Sequence, residues 1–168
     1  MQTTSRESRD IDVNQPQVAE FRADLNRRVV AGRAEEIHRA LIAEFRATGG
    51  KLAGMFAGAP LLLLTTTGAK SGEPRTAPVL FTRAGDRYVV LASKAGAPTN
   101  PGWYHNLLAQ PRAVIELGDE PFEVVSSVAV GEERDRLFAS HAEQLPIYAG
   151  YQQQTTRRIP VVILERLS

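Results

Sequence analysis

Apolar positions in this chain follow two periods, and the change of period divides it. Ile37, Leu41, Ile42 and Phe45 recur at steps of three and four, which predicts one apolar stripe along a helix. Thr48-Gly49-Gly50 then supplies the glycines of a left-handed helix stop. Phe21, Leu25, Val29 and Val30 make a weaker stripe, read as a separate and mobile helix with Gly32 as the break. Residues 1–16 are rich in Ser, Thr, Arg and Asp and predict a disordered start. The expected organisation is an N-terminal tail and mobile helix over 1–33, followed by one domain over 34–168.

From Pro60 onward the apolar blocks are strand-sized. Strands are expected over Pro60–Thr67, Thr76–Arg83, Arg87–Ala92, Arg112–Leu117, Phe122–Val130 and Arg158–Arg166, bounded by glycine, proline and asparagine turns. A short helix is expected over Gly102–Ala109, anchored by Trp103, Leu107 and Leu108. Asn100, just before the helix-opening Pro101, is its expected N-cap. Glu132–Gln144 predicts an amphipathic helix with an acidic first turn, and Pro146–Thr155 a short helix or structured loop. Short strands, tight turns and small helices together predict a mainly β fold with flanking helices (α+β), an antiparallel barrel closed or nearly closed.

Composition removes several chemistries. With 168 residues the chain is long enough for one real core, and with no cysteine it has neither disulfides nor thiolate catalysis. A net charge of +1 gives no bulk field toward nucleic acid, so no nucleic-acid partner is expected. The longest apolar runs are too short to span a bilayer, and Met1–Asp12 lacks the apolar core of a secretion signal. A cytoplasmic protein is expected, with peripheral membrane contact at an apolar helical face near the N-terminus. His38, His105 and His141 are scattered, without zinc spacing or a nucleophile–base system. An enzyme of this composition would borrow its reactivity from an organic cofactor.

Two loops carry the candidate chemistry. Thr65 to Pro78 connects two apolar runs and sets Lys70, Ser71 and Arg75 among glycines. Exposed N–H groups, a hydroxyl and two cations on one turn suit a phosphate or carboxylate. Ser93 to Asn106 repeats that logic with Lys94, glycine and a helix start, and adds Trp103 and Tyr104 to stack on a flat ring and Asn106 to bond its edge. Tyr148 and Tyr151 stand three apart, so on a helix they share a face where they wall a substrate or offer a proton.

The runs Leu61–Gly72, Pro74-Arg75, Ser93–Gly96 and Asn100–Leu107 resemble the deazaflavin-dependent nitroreductase family, as do Glu44–Lys51, Tyr148–Gln152 and Arg158–Val162. The likeness extends in order over roughly Ala40 to Glu165. It implies a split β-barrel related to flavin-mononucleotide-binding oxidoreductases, an actinobacterial type of source, and coenzyme F420, a 5-deazaflavin with a phospholactyl-oligoglutamate tail. By motif position, Lys70, Ser71 and Arg75 would hold the phosphate and acidic tail, with Lys94 and Asn100 nearby. Pro78, Ser93, Trp103, Tyr104 and Asn106 would line the path to the ring. The implied reaction is hydride transfer to an electron-poor small molecule such as a quinone, an activated alkene or a nitroaromatic, with Tyr148, Tyr151 or solvent giving the proton. Leu145-Pro146-Ile147 departs from the nitroimidazole-activating members, which makes quinones the broader acceptor class. Alternatives are a flavin-mononucleotide enzyme and a non-catalytic deazaflavin carrier. A homodimer is expected by the same likeness.

Overall fold

The computed structural model describes residues 33–167. The expected tail and the Phe21–Val30 stripe lie outside the described residues. Two compact units divide the chain, Met1–Arg39 and Ala40–Ser168, and the second holds the sheet and the candidate site.

Helix α1 is described over residues 33–48 and ends as its sequence predicts. Gly49 has φ 65°, and the Gly50 N–H bonds the Phe45 carbonyl at 2.8 Å. That six-to-one bond closes a Schellman stop. Gly118 in a later turn lies so close to the Gly49 carbonyl that a Cβ there would overlap it, which seats the end of α1 on the sheet. Arg46 reinforces the seat with a fork onto Glu116 at 3.2 and 3.0 Å.

The seven strands are β1 (Leu61–Thr67), β2 (Pro74–Leu80), β3 (Thr82–Ala84), β4 (Arg87–Leu91), β5 (Arg112–Glu116), β6 (Phe122–Val128) and β7 (Val161–Arg166). All pairings are antiparallel, in the order β2-β1-β5-β6-β7-β4-β3. β2 and β3 occupy opposite edges of this order, yet only Phe81 separates them in sequence. The sheet therefore curls until its two edges adjoin, the half-barrel of the split β-barrel class. The strand expected over Thr76–Arg83 is in fact these two strands. Phe81 still donates its N–H to Pro60 at 2.9 Å, whereas Thr82 already pairs with Val89 on the far edge. Hydropathy does not mark that change of partner, because Val79, Leu80 and Phe81 run apolar straight up to it and the polar Thr82 and Arg83 read equally well as the end of one strand.

Burial explains the unbroken apolar runs. Leu62, Leu64, Val79, Val90, Ile115, Val124 and Leu164 fill the barrel interior with Leu107. On the other face of β1, Leu61 and Leu63 pack under Phe45 of α1. On the other face of β4 and β7, Val89, Leu91, Val161 and Ile163 pack with Tyr148. Strands covered on both faces lose the alternation of a half-exposed strand. Burying each of these side chains contributes about 1.5–3 kcal/mol.

The remaining helices are α2 (Gly102–Ala109), α3 (Gly131–Gln144) and α4 (Ile147–Gln153). Glu132 and Glu133 open α3 at the positive end of its dipole. Among the described residues no helix is long and apolar enough to cross a membrane.

Candidate functional site

Helix α2 and the β1–β2 loop build the main cleft together. The loop is closed on itself: Gly68 N–H bonds the Glu73 carbonyl at 2.8 Å, Gly72 N–H bonds the Gly68 carbonyl at 2.9 Å, and Glu73 N–H bonds the Ser71 hydroxyl at 3.1 Å. A side chain at Gly68 would place its Cβ 2.5 Å from that hydroxyl, so it would displace the Ser71 side chain from its bond to Glu73 N–H. Asn106 ties the loop to the helix. Its Oδ1 accepts from Ala69 N–H at 2.9 Å, and its Nδ2 donates to the Thr66 hydroxyl at 3.0 Å.

Between loop and helix lies a cleft of about 740 Å³, lined by Gly68, Ala69, Lys70, Ser71, Arg75, Thr76 and Ala77 on one side and Gly102, Trp103, His105 and Asn106 on the other. Lys70, Ser71 and Arg75 are exposed. None of the ion pairs among the described residues uses Lys70 or Arg75. Nor do the Lys70 and Ser71 N–H groups meet an acceptor among the described residues. Across the cleft, α2 begins at an N-cap, Pro101, that has no side chain to bond its first N–H groups. Two uncancelled cations, a hydroxyl and open loop N–H groups on one side, with a helix N-terminus facing them, are groups whose chemistry suits an anion. Ala69, Ala77 and Trp103 supply the apolar wall that a flat ring needs.

The other candidate residues stand apart from this lining. Pro78 pairs with Leu63, and strand alternation puts it on the face opposite Ala77 and Val79. Tyr104 packs against the interior cluster and borders a smaller pocket of about 200 Å³. Ser93 is buried, and Lys94 is exposed with its ammonium 3.3 Å from the Thr99 hydroxyl. Asn100 is not the N-cap of α2: its Oδ1 accepts from Arg157 Nη1 at 2.7 Å, which pulls it away from the helix start. Leu108, expected as an anchor, is 58% exposed, because α2 turns Leu107 rather than Leu108 into the core.

Tyr148 is 5% exposed and packed edge-on between the rings of His141 (4.5 Å) and Tyr151 (5.6 Å). Burial, with Tyr151 beside it, pushes the Tyr148 phenol above its ordinary pKa. Tyr151 is half-buried. Neither tyrosine lines the cleft. Sequence reasoning passed over His105, Thr76, Ala77 and Gly102 as lining residues. Gly102, His105 and Asn106 fall at steps of three and one on a helix, so the face containing Asn106 was the available signal.

Comparison with known proteins places this geometry. The family model for F420H(2)-dependent quinone reductase matches residues 37–166. An F420H(2)-dependent quinone reductase of Mycobacterium tuberculosis is 43% identical over 126 residues, which cover 73% of this chain and 85% of that protein. A solved F420-H2 dependent reductase, FDR-A, shares 40% identity with a TM-score of 0.59, over 63% of this chain and 94% of that one. A second solved chain, described as a domain-swapped dimer, matches at 40% identity and a TM-score of 0.59, over 63% of this chain and 80% of its own. The family match spans most of the chain and includes both sides of the cleft, so this protein belongs to the F420H(2)-dependent quinone reductases, oxidoreductases whose cofactor is F420.

Proposed function

We propose that the protein binds F420H2 in the cleft between the β1–β2 loop and α2 and reduces quinones there, with activated alkenes and nitroaromatics as further electron-poor acceptors. The observation that carries this reading is that set of anion-suited groups: Lys70, Arg75, Ser71 and the α2 N-terminus line one cleft without a protein counter-charge among the described residues. The chemistry that bound F420H2 supplies is hydride donation from the ring, which with one proton converts a quinone to a hydroquinone.

This chain's residues do the rest. Lys70, Ser71 and Arg75 hold the phosphate and acidic tail, with Lys94 and Asn100 on the neighbouring loop. Trp103 and Ala77 confine the ring, with Ser93, Pro78 and Tyr104 behind the wall, and Asn106 keeps both sides of the cleft at a fixed spacing. Their contribution is proximity, since donor and acceptor must meet in near-attack geometry. Tyr151, on α4 outside the cleft lining, walls the part of an acceptor that extends beyond the cleft, Tyr148 supports it from the core, and solvent or the Tyr151 phenol supplies the proton. Residues 34–168 form the catalytic domain, and the protein works as a homodimer, by likeness to the domain-swapped relative.

The test combines binding with turnover. Lys70→Ala and Arg75→Ala should each weaken F420 binding by about 1–3 kcal/mol in a fluorescence titration, the loss of one charge-assisted contact. Reduced F420 should be oxidised by menadione faster with the protein than without it. Unchanged affinity in both variants would remove the tail from this cleft, and binding without turnover would make the protein a carrier.

A further inference from the structure

Arg157 lies outside the cleft, yet its guanidinium spends every hydrogen bond on the loop that leads into it. Nε donates to the Ala97 carbonyl at 2.9 Å and Nη1 to the Asn100 Oδ1 at 2.7 Å. Nη2 donates to the Ser93 carbonyl at 2.7 Å and the Ala92 carbonyl at 3.2 Å. No carboxylate among the described residues pairs with it. An arginine held only by neutral acceptors of one loop is shaping that loop, since a core rivet would draw on several elements and a surface arginine would point to water.

The loop needs shaping. Lys94, Ala95 and Gly96 follow one another at φ 47°, 53° and 79°, a left-handed run in which only the last residue is glycine. Left-handed backbone is unfavourable for residues with a Cβ and persists where the surroundings over-determine it. Gly96 is also wedged against α4: a Cβ there would stand 2.9 Å from the Tyr151 carbonyl and from Gln154 Oε1. The clamp is itself braced by hydrogen bonds from behind. Gln152 Nε2 donates to the Arg157 carbonyl at 2.8 Å while its Oε1 accepts from Ile159 N–H at 2.9 Å. Arg134 Nη2 donates to the Ile159 carbonyl at 2.7 Å. One residue beyond the clamped loop, Pro101 opens α2, whose Gly102 and Trp103 form a wall of the cleft.

We infer that Arg157 is a positioning residue for the cofactor cleft: by locking Ala92–Asn100 it fixes the first turn of α2, and so sets cofactor affinity without touching the cofactor. The inference rests on the F420 reading of the cleft. Arg157→Lys keeps the charge but cannot reach four acceptors at once, and Gln152→Ala loosens the clamp from behind.

The experiment measures hydrogen–deuterium exchange of the cofactor-free protein, F420 affinity, and steady-state constants with menadione. In both variants exchange across residues 93–104 should rise at least tenfold while the amides of β1, β5 and β6 keep their protection. The F420 dissociation constant and the KM for F420H2 should rise about tenfold, with kcat falling less than threefold. Added ethylguanidinium should recover affinity in Arg157→Ala. Loosening spread through the whole sheet, or a looser loop with wild-type affinity, would overturn the inference. Wild-type protein that binds no F420 would sink the proposed cofactor site instead, and the exchange data would still decide whether Arg157 holds the loop.

Discussion

At the scale of single residues, His141 shows how burial dictates protonation. It is fully buried on α3, with Nδ1 2.7 Å from the Thr82 hydroxyl and Nε2 without a partner among the described residues. Burial pulls its pKa down to about 4 from an ordinary value of 6.5. Between those values the unfolded chain binds a proton that the folded protein refuses, so stability rises with pH through this window. The contribution is complete above pH 6.5 and is lost as pH falls toward 4, to a total of about 3 kcal/mol. The urea midpoint should therefore drop between pH 7 and pH 5, and the drop should be shallower in His141→Leu. Parallel pH profiles for the two proteins would refute this. Tyr151 allows a second expectation. If it walls the acceptor, Tyr151→Ala should raise the quinone KM about tenfold and leave F420 affinity intact, on the scale of losing one aromatic contact. Tyr151→Phe separates walling from proton donation, because only donation is lost with the hydroxyl. Lys70, Ser71 and Arg75 were legible as a group because glycines on both sides mark a turn whose side chains and N–H groups face outward. Pro78 and His105 were not, since which face they take follows from pairing partners that no local pattern encodes.

At the scale of elements, α2 is the piece that joins the rest. Its interior face presents Leu107, Trp103 and Tyr104 to the barrel, while Asn106 reaches the β1–β2 loop at Ala69 with one end of its amide and Thr66 near the end of β1 with the other. Asn106→Ala removes two bonds and leaves Ala69 N–H and the Thr66 hydroxyl to find water. The expected cost is about 1–3 kcal/mol of stability together with weaker F420 binding, because the loop's spacing from α2 is no longer fixed. Thermal unfolding and titration of the same variant check both, and a variant with wild-type cofactor affinity would show that the clasp serves the fold alone. Element boundaries were largely readable: the glycine stop of α1, the span of α2 and the acidic opening of α3 each carry a local signal. The cap of α2 was misread because Asn100 has the right chemistry and the right place, and a distant arginine, Arg157, competes for its oxygen.

At the scale of the molecule, the order of the strands was hidden although their existence was plain. Antiparallel neighbours β1 and β2 follow from a tight connection, but β6 beside β7 joins segments separated by two helices, and the pairing is decided by which faces can be buried together. The split of one apolar run into β2 and β3 belongs to this level, since no residue in Thr76–Arg83 announces it. Among the described residues, Ile37, Leu108, Val128, Val130 and Ile147 are large apolar side chains exposed for contact between copies. Light scattering should return twice the monomer mass at micromolar concentration, and a monomer mass there would remove the dimer. The junction at Phe81 bears on how such a pair could form. Exchange of a segment between copies at this point would break the bond from Phe81 to Pro60 and run β2 straight into β3, the short-hinge geometry that invites swapping. Opening there would carry β3 and all that follows it into the other copy's sheet.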